Sequence, residues 1–312
     1  MRKRTKYERA KMKNFRFKAD MMLLLVAMIW GSGFIATEYA IGSGMSPMII
    51  MAFRFPIAAL ALLMFMKNKL KEITKKEWVR GGIAGVILFF AFFSQTIGQS
   101  MTTVSNSAFI TATNVVIVPF IVWALTKTKP KIKTVILAVI TFFGVAVLTV
   151  SPEGSISLNL GDLYVMICAI LFALHIAYLG IAVSESKAMT IAFVQISVAG
   201  ILSLIGLILE NPRNFYQVDY TIGLPAVIYL GFFSTCLCYF LQTSAQKQTT
   251  ASKAGIIMSM ESLFGTLFSI IFGFEALTTR VIIGGTIILT AVILTEVKLK
   301  NKVRQVQEVQ SE

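Results

Sequence analysis

The chain has 312 residues, 56% hydrophobic and 14% charged, with a mean hydropathy of +0.77, more apolar than a soluble domain of this length tolerates. A net charge of +14 would suit nucleic acid only if it covered one face of a soluble domain, whereas here the basic residues lie between apolar runs. Nucleic acid is therefore set aside as a partner, and membrane lipids become the expected surroundings.

A helix needs about 20 apolar residues to cross roughly 30 Å of hydrocarbon. That length picks out ten segments in chain order: 20–41, 47–66, 79–100, 103–125, 133–150, 161–183, 190–209, 221–244, 251–274 and 280–297. The first is about twice the length of a secretory core and is followed closely by the second, so it reads as a spanning helix and not as a cleaved signal. Long continuous runs without a period of two exclude a transmembrane β-barrel.

Of the 29 Lys and Arg residues, all but Arg54, Arg213 and Arg280 fall in the N-terminal tail, the C-terminal tail or alternate loops. The positive-inside rule then places both termini in the cytoplasm of a plasma or bacterial inner membrane. Most of the charge is accounted for by this topology.

The second half echoes the first. "ADMMLLLVAMIWGSGFIA" from Ala19 resembles "GDLYVMICAILFALHIAY" from Gly161, setting Asp20 opposite Asp162, two prospective helix caps, and Trp30 opposite Phe172. "FFS" at 92–94 returns at 232–234, and "TFFGVAVL" at the end of the fifth segment is echoed by "ILTAVIL" at the end of the tenth. Five spans per copy is an odd number, so the second copy enters the membrane inverted, an architecture of secondary transporters. The predicted fold is an all-α integral membrane protein of ten transmembrane helices in two inverted five-helix repeats. Its parts are a basic cytoplasmic tail (1–19), the repeats (20–150 and 161–297) and a polar cytoplasmic tail (298–312).

Two buried charges stand out. Arg54 lies in the second segment, where nine Leu, Ile or Phe residues contribute about −0.3 to −0.6 kcal/mol each against roughly +2.5 to +3.5 for a central Arg. Either it faces a cavity, holding an anionic group or pairing with Glu38, or it bonds carbonyls or headgroups. Glu261, ten residues into the ninth segment, lies about 15 Å deep on a stem too short to reach water. It must be neutral, paired or in a wet cavity, which makes it a proton-coupling or cation-binding candidate.

Polar stripes supply further candidates. Gln95 and Gln99, and Ser107, Thr111 and Asn114, recur at helical spacing and so line single faces, toward a cavity or toward hydrogen bonds with a neighbouring helix. His175, the only histidine, has Tyr178 near one turn on; it is a packed residue or a relay. Trp30 and Phe34 form an aromatic wall or plain core. Gly31, Ser32 and Gly33, the trio Gly81, Gly82 and Gly85, and Gly284 with Gly285 are expected to permit close helix approach. Cys168, Cys236 and Cys238 are read as packing residues, and Glu275 as a boundary acid.

The chain resembles the EamA family of the drug/metabolite transporter superfamily. The stretches that carry the resemblance are "IWGSGFIATE" (29–38), "FRFPIAAL" (53–60), "SQTIGQSMTTVSNSAFITATNVVIVP" (94–119), "YFLQTSAQKQTTASKAGIIMSMESLFGTLFSIIFGFEALT" (239–278) and "IIGGTIILTAVILTE" (282–296). It departs from the family at Glu38, where members often carry lysine, and at Ser262, where they often carry proline after the acid; the family position matching Glu261 often reads as a packing and helix-distortion motif, the alternative to a coupling role. The resemblance implies a ten-helix exporter or permease for small metabolites, such as amino acids or related compounds, with a central cavity between the repeats.

Combined with the inverted repeat, this predicts alternating access around a cavity, with Trp30, Glu38, Arg54, Gln95, Gln99, Asn114, His175, Tyr178 and Glu261 as candidate substrate or coupling residues and protons as a candidate coupling ion. No catalytic residue, metal or cofactor is expected. The alternatives are an integral membrane enzyme, which would need a nucleophile with a base, a carboxylate pair or a metal cluster, and a lipid-associated receptor, which the short loops disfavour.

Overall fold

Side-chain caps mark the starts of several apolar helices. The Ser46 hydroxyl accepts from the Ile49 amide, with Pro47 at the first helical position, where its missing N–H costs nothing. Thr74 with Glu77 and Asn159 with Asp162 each form a reciprocal capping box, which satisfies amide groups that would otherwise lack partners.

The computed structural model describes residues 6–102, 104–149, 159–210, 213–273 and 276–296, and among the described residues the protein is all-α. The first half comprises α1 (Lys6–Gly42), α2 (Pro47–Met66), α3 (Lys75–Gln99), α4 (Val104–Ala112), α5 (Asn114–Thr126) and α6 (Ile132–Thr149). After it come α7 (Leu160–Ser184), α8 (Ala188–Ile208), the short α9 (Arg213–Tyr216), α10 (Tyr220–Tyr229), a π-helix (Leu230–Leu237), α11 (Cys238–Gln246), α12 (Ala251–Met258), α13 (Glu261–Ile271) and α14 (Thr279–Glu296). Glu275 and the tail 298–312 lie outside the described residues.

Eight helical stretches are long and apolar enough to cross a membrane. The segments expected at 133–150 and 280–297 correspond to shorter apolar helices, Ile132–Val147 and Val281–Thr295. Large apolar side chains such as Leu60, Phe65, Phe90, Ile170 and Ile205 point outward, as lipid-facing positions do. Helix α1 begins at Lys6, ahead of its apolar run, so Asp20 sits inside the helix and caps nothing. It pairs instead with Lys253, with Oδ1 2.8 Å from Nζ. Its counterpart Asp162 does cap, through its box with Asn159.

Two expected continuous helices are broken. Between α4 and α5, the Thr113 hydroxyl bonds the Ile110 carbonyl at 2.7 Å, and the amides of Thr113 and Val116 reach back three residues. Between α12 and α13, the Ser259 hydroxyl bonds the Ile256 carbonyl at 2.7 Å, and the Met260 and Ser262 amides reach back three residues, to Ile257 O and Ser259 O. In both places a hydroxyl competes for a backbone carbonyl and the turn tightens to 3₁₀ bonding. Ser262 keeps an amide donor that proline would lack, and its hydroxyl bonds Ala108 O across to α4.

The helices pack in corresponding pairs. Helix α1 lies along α12 and α13, as α7 lies along α4 and α5. Helix α3 packs on α7 and α8, as the α10–α11 unit packs on α1 and α2; α2 meets α8, and α6 meets α14. Glycines permit the closest approaches. A Cβ on Gly85 would sit 2.5 Å from Gln195 O, one on Gly81 2.6 Å from Val194 Cβ, and one on Gly31 2.7 Å from Gly265 N. Gly82 is different: it faces open space and permits no approach.

Candidate functional site

At the centre of the bundle lies a cavity walled by residues from both halves of the chain. Helix α1 contributes Trp30, Gly33, Phe34 and Thr37, one face at helical spacing, and α3 contributes Phe92, Gln95 and Gln99. Arg54 enters from α2, Phe172 and Ile176 from α7, Ser234 from the π-helix and Gln242 from α11. The broken helices supply Thr111 with Asn114 and Met258 with Glu261. Asn114 and Glu261 are each the first residue of the helix after the break.

Arg54 is buried, 3% exposed. Its Nε donates to Thr235 Oγ1 at 2.8 Å and its Nη2 to Ser234 Oγ at 3.1 Å. The guanidinium carbon lies 4.1 Å from the Phe92 ring centroid, a cation–π contact. Phe92 in turn meets Phe55, Phe172 and Tyr239 edge-on at centroid distances of 5.4, 5.1 and 6.0 Å. The Trp30 indole donates to Ser234 O at 2.9 Å.

Glu261 is 6% exposed, and its carboxyl makes no hydrogen bond or ion pair among the described residues. Gln95 Nε2 donates to Thr111 Oγ1 at 3.3 Å, and Gln99 Nε2 donates to Phe34 O at 3.0 Å and Glu38 Oε2 at 3.3 Å. The cavity is thus an aromatic chamber with a cation and an acid in its walls and amides between them.

Of the residues singled out from the sequence, Trp30, Arg54, Gln95, Gln99, Asn114 and Glu261 meet at this cavity. Glu38 does not line it: it is exposed and is linked to it through Gln99. The Arg54–Glu38 pairing is not formed, because Arg54 turns to the π-helix. His175 faces α8, where Nε2 lies 2.9 Å from Gln195 Oε1, and Gln195 Nε2 donates to Thr243 Oγ1 at 3.2 Å. Tyr178 packs beside Leu179, Val183 and Ile191. Sequence reasoning passed over Ser234 and Gln242, although the repeated "FFS" ends on Ser234 and Gln242–Gln246 repeats the spacing of Gln95–Gln99.

One end of the bundle is clamped by charge. Arg80 Nη2 lies 2.5 Å from Glu185 Oε2, Lys187 Nζ 2.9 Å from Glu72 Oε2, and Lys253 closes on Asp20. The Lys187 amide donates to Glu77 Oε1 at 3.0 Å. Each bond joins the first half to the second, and this end carries the cation-rich loops. The hydrogen bond and charge of Lys187 hold the Glu72 carboxyl below its ordinary range, Arg80 does the same to Glu185, and Glu72 holds the Lys187 ammonium above its own. At the other end, among the described residues, Asp219 N donates to Ser43 O at 2.8 Å and Thr102 Oγ1 to Asp162 Oδ1 at 2.6 Å.

A multi-pass helical bundle with lipid-facing walls and a polar chamber at its centre is the form of a membrane transporter. The sequence pattern of the EamA-like transporter family matches residues 17–150 and 159–297, and the chain belongs to that family. An uncharacterized transporter of Archaeoglobus fulgidus is 32% identical over 287 residues, covering 91% of this chain and 87% of the relative. A protein of known crystal structure shares the fold, with a TM-score of 0.73 at 17% identity, covering 89% of this chain and 96% of the other.

Proposed function

We propose that this transporter is a secondary carrier that exports small metabolites, amino acids and related compounds among them, by alternating access around the central cavity. In this reading ten helices cross a plasma or bacterial inner membrane as two inverted five-helix repeats, with both termini cytoplasmic. The corresponding packing pairs and the two matched helix breaks support the repeat. Each of α6 and α14 has 18 residues, about 27 Å of helix, close to the hydrocarbon thickness.

The observation that carries the reading is the unpartnered Glu261 in the same chamber as Arg54. A carboxylate enclosed by protein without a partner is costly, so Glu261 is suited to exchange a proton or to meet a cationic group of the solute, while Arg54 meets an anionic one. The ion pairs at the basic end close the cytoplasmic side and must break for inward opening.

The test is a metabolite screen of cells with and without the protein, followed by flux of the best hit in proteoliposomes. The expected result is an unmodified compound whose cytosolic level drops on expression and which crosses the vesicle membrane. A chemically changed product, or termini labelled on opposite faces of the membrane, would overturn it.

A further inference from the structure

The wall that holds Arg54 is a π-helix. In it the Cys238 amide reaches back to Phe233 O, the i→i+5 pattern, and to Thr235 O, and not to Ser234 O as an α-helix would require. Ser234 O is thereby released from Cys238 and accepts from the Trp30 indole. The wider turn also reduces the angle between successive side chains, so the neighbours Ser234 and Thr235 both reach one guanidinium. Two sides of the chamber, Trp30 on α1 and Arg54 on α2, are tied to this single turn.

A guanidinium has five N–H donors. Thr235 takes the one on Nε and Ser234 one on Nη2, while both hydrogens of Nη1 and one of Nη2 have no protein acceptor among the described residues. The acceptors present are neutral hydroxyls, and Arg54 makes no ion pair among the described residues, so its charge is oriented without being neutralised. A buried cation in that state is stabilised by an anion, and the free end of the guanidinium matches an oxyanion that accepts two parallel bonds.

We infer that Ser234 and Thr235 are positioning residues that hold Arg54 with its Nη1 end toward the cavity, to select solutes bearing a carboxylate or similar oxyanion. This rests on the transport reading, because it assigns the cavity a solute. Aromatic walls from Trp30, Phe34, Phe92 and Phe172 suit a solute whose remainder is flat and apolar.

The test uses the full chain in detergent and two probes of nearly equal shape, phenylacetate and phenylacetamide, measured by calorimetry. Wild type is expected to favour phenylacetate by about tenfold or more, as a charge-assisted bidentate bond requires. In Ser234→Ala/Thr235→Val the preference falls to within about threefold. The hydroxyl-preserving exchange Ser234→Thr/Thr235→Ser restores it, which a merely structural role would not predict. If the double variant does not fold, Thr235→Val against Thr235→Ser makes the same comparison.

An unchanged preference in the hydroxyl-free variants, or no preference or no phenylacetate binding in wild type, overturns the inference. Selectivity that moves as expected in a protein carrying no solute into proteoliposomes would remove the transport reading and leave the anion site. Carriage with unmoved selectivity would do the reverse.

Discussion

Asn114 and Glu261 occupy the same place in two different helices: each is the first residue after a break, and each lines the central cavity. At each break a hydroxyl bonds a carbonyl of its own helix three residues back. The two positions therefore present an amide and an acid from matching elements, so similar scaffolding ends in unlike chemistry.

From this, Glu261→Gln is expected to insert and fold as wild type does, because the amide fills the same space without a buried charge. Flux of the transported solute should lose its pH dependence between about pH 5.5 and 8.5, because the amide takes up and releases no proton. Proteoliposome flux at several pH values checks this. A variant with the full wild-type profile would show that Glu261 takes no part in coupling.

Close helix contact between α3 and α7 depends on two glycines facing each other. A Cβ on Gly98 would lie 2.7 Å from Gly161 O, and one on Gly161 would lie 2.8 Å from Gly98 O. Gly98→Ala or Gly161→Ala is expected to cost about 1–3 kcal/mol through overpacking. Gly82→Ala, which meets nothing within 4 Å, should instead stabilise by up to about 1 kcal/mol through helix propensity. Thermal unfolding in detergent distinguishes the two classes.

The clamp at the basic end predicts a pH response of known sign. Because Arg80 depresses the folded-state pKa of Glu185 below its ordinary value of 4.5, the contribution of the pair is present above that value and is lost as pH falls through the depressed one. The melting-temperature difference between wild type and Glu185→Gln should therefore be seen at neutral pH, disappear in acid and shrink in high salt. A difference that persists undiminished in acid would mean that the substitution acts through packing.

His175 offers a negative control for the cavity. Its Nδ1 has no partner among the described residues, and Gln195→Leu would remove the partner of Nε2 as well. The expected cost is about 1–3 kcal/mol for the stranded group, with the phenylacetate-to-phenylacetamide preference unchanged. Altered selectivity in that variant would place His175 in the solute path.

Arg54 and Glu261 were legible in the sequence because a charge in an apolar run is visible without knowing which way it points. Their environment was not: the sequence offers Glu38 as a partner for Arg54, and the protein uses Ser234 and Thr235. His175 and Tyr178 lie away from the cavity lining, and which way they face was not legible for a related reason. Helix α7 is apolar on every side, so hydropathy cannot tell the cavity face carrying Phe172 and Ile176 from the face turned to α8.

Local chemistry settles the helices themselves. Apolar run length compels hydrogen-bonded helix in lipid, caps mark several starts, and the cation pattern separates the loops into two groups, each a property of neighbouring residues. The chamber, the π-turn that orients Arg54 and the clamp at the basic end arise only when distant segments meet. They depend on side chains, such as Ser234 with Arg54 and Lys187 with Glu72, whose preference for one another has no signature in the order of the chain.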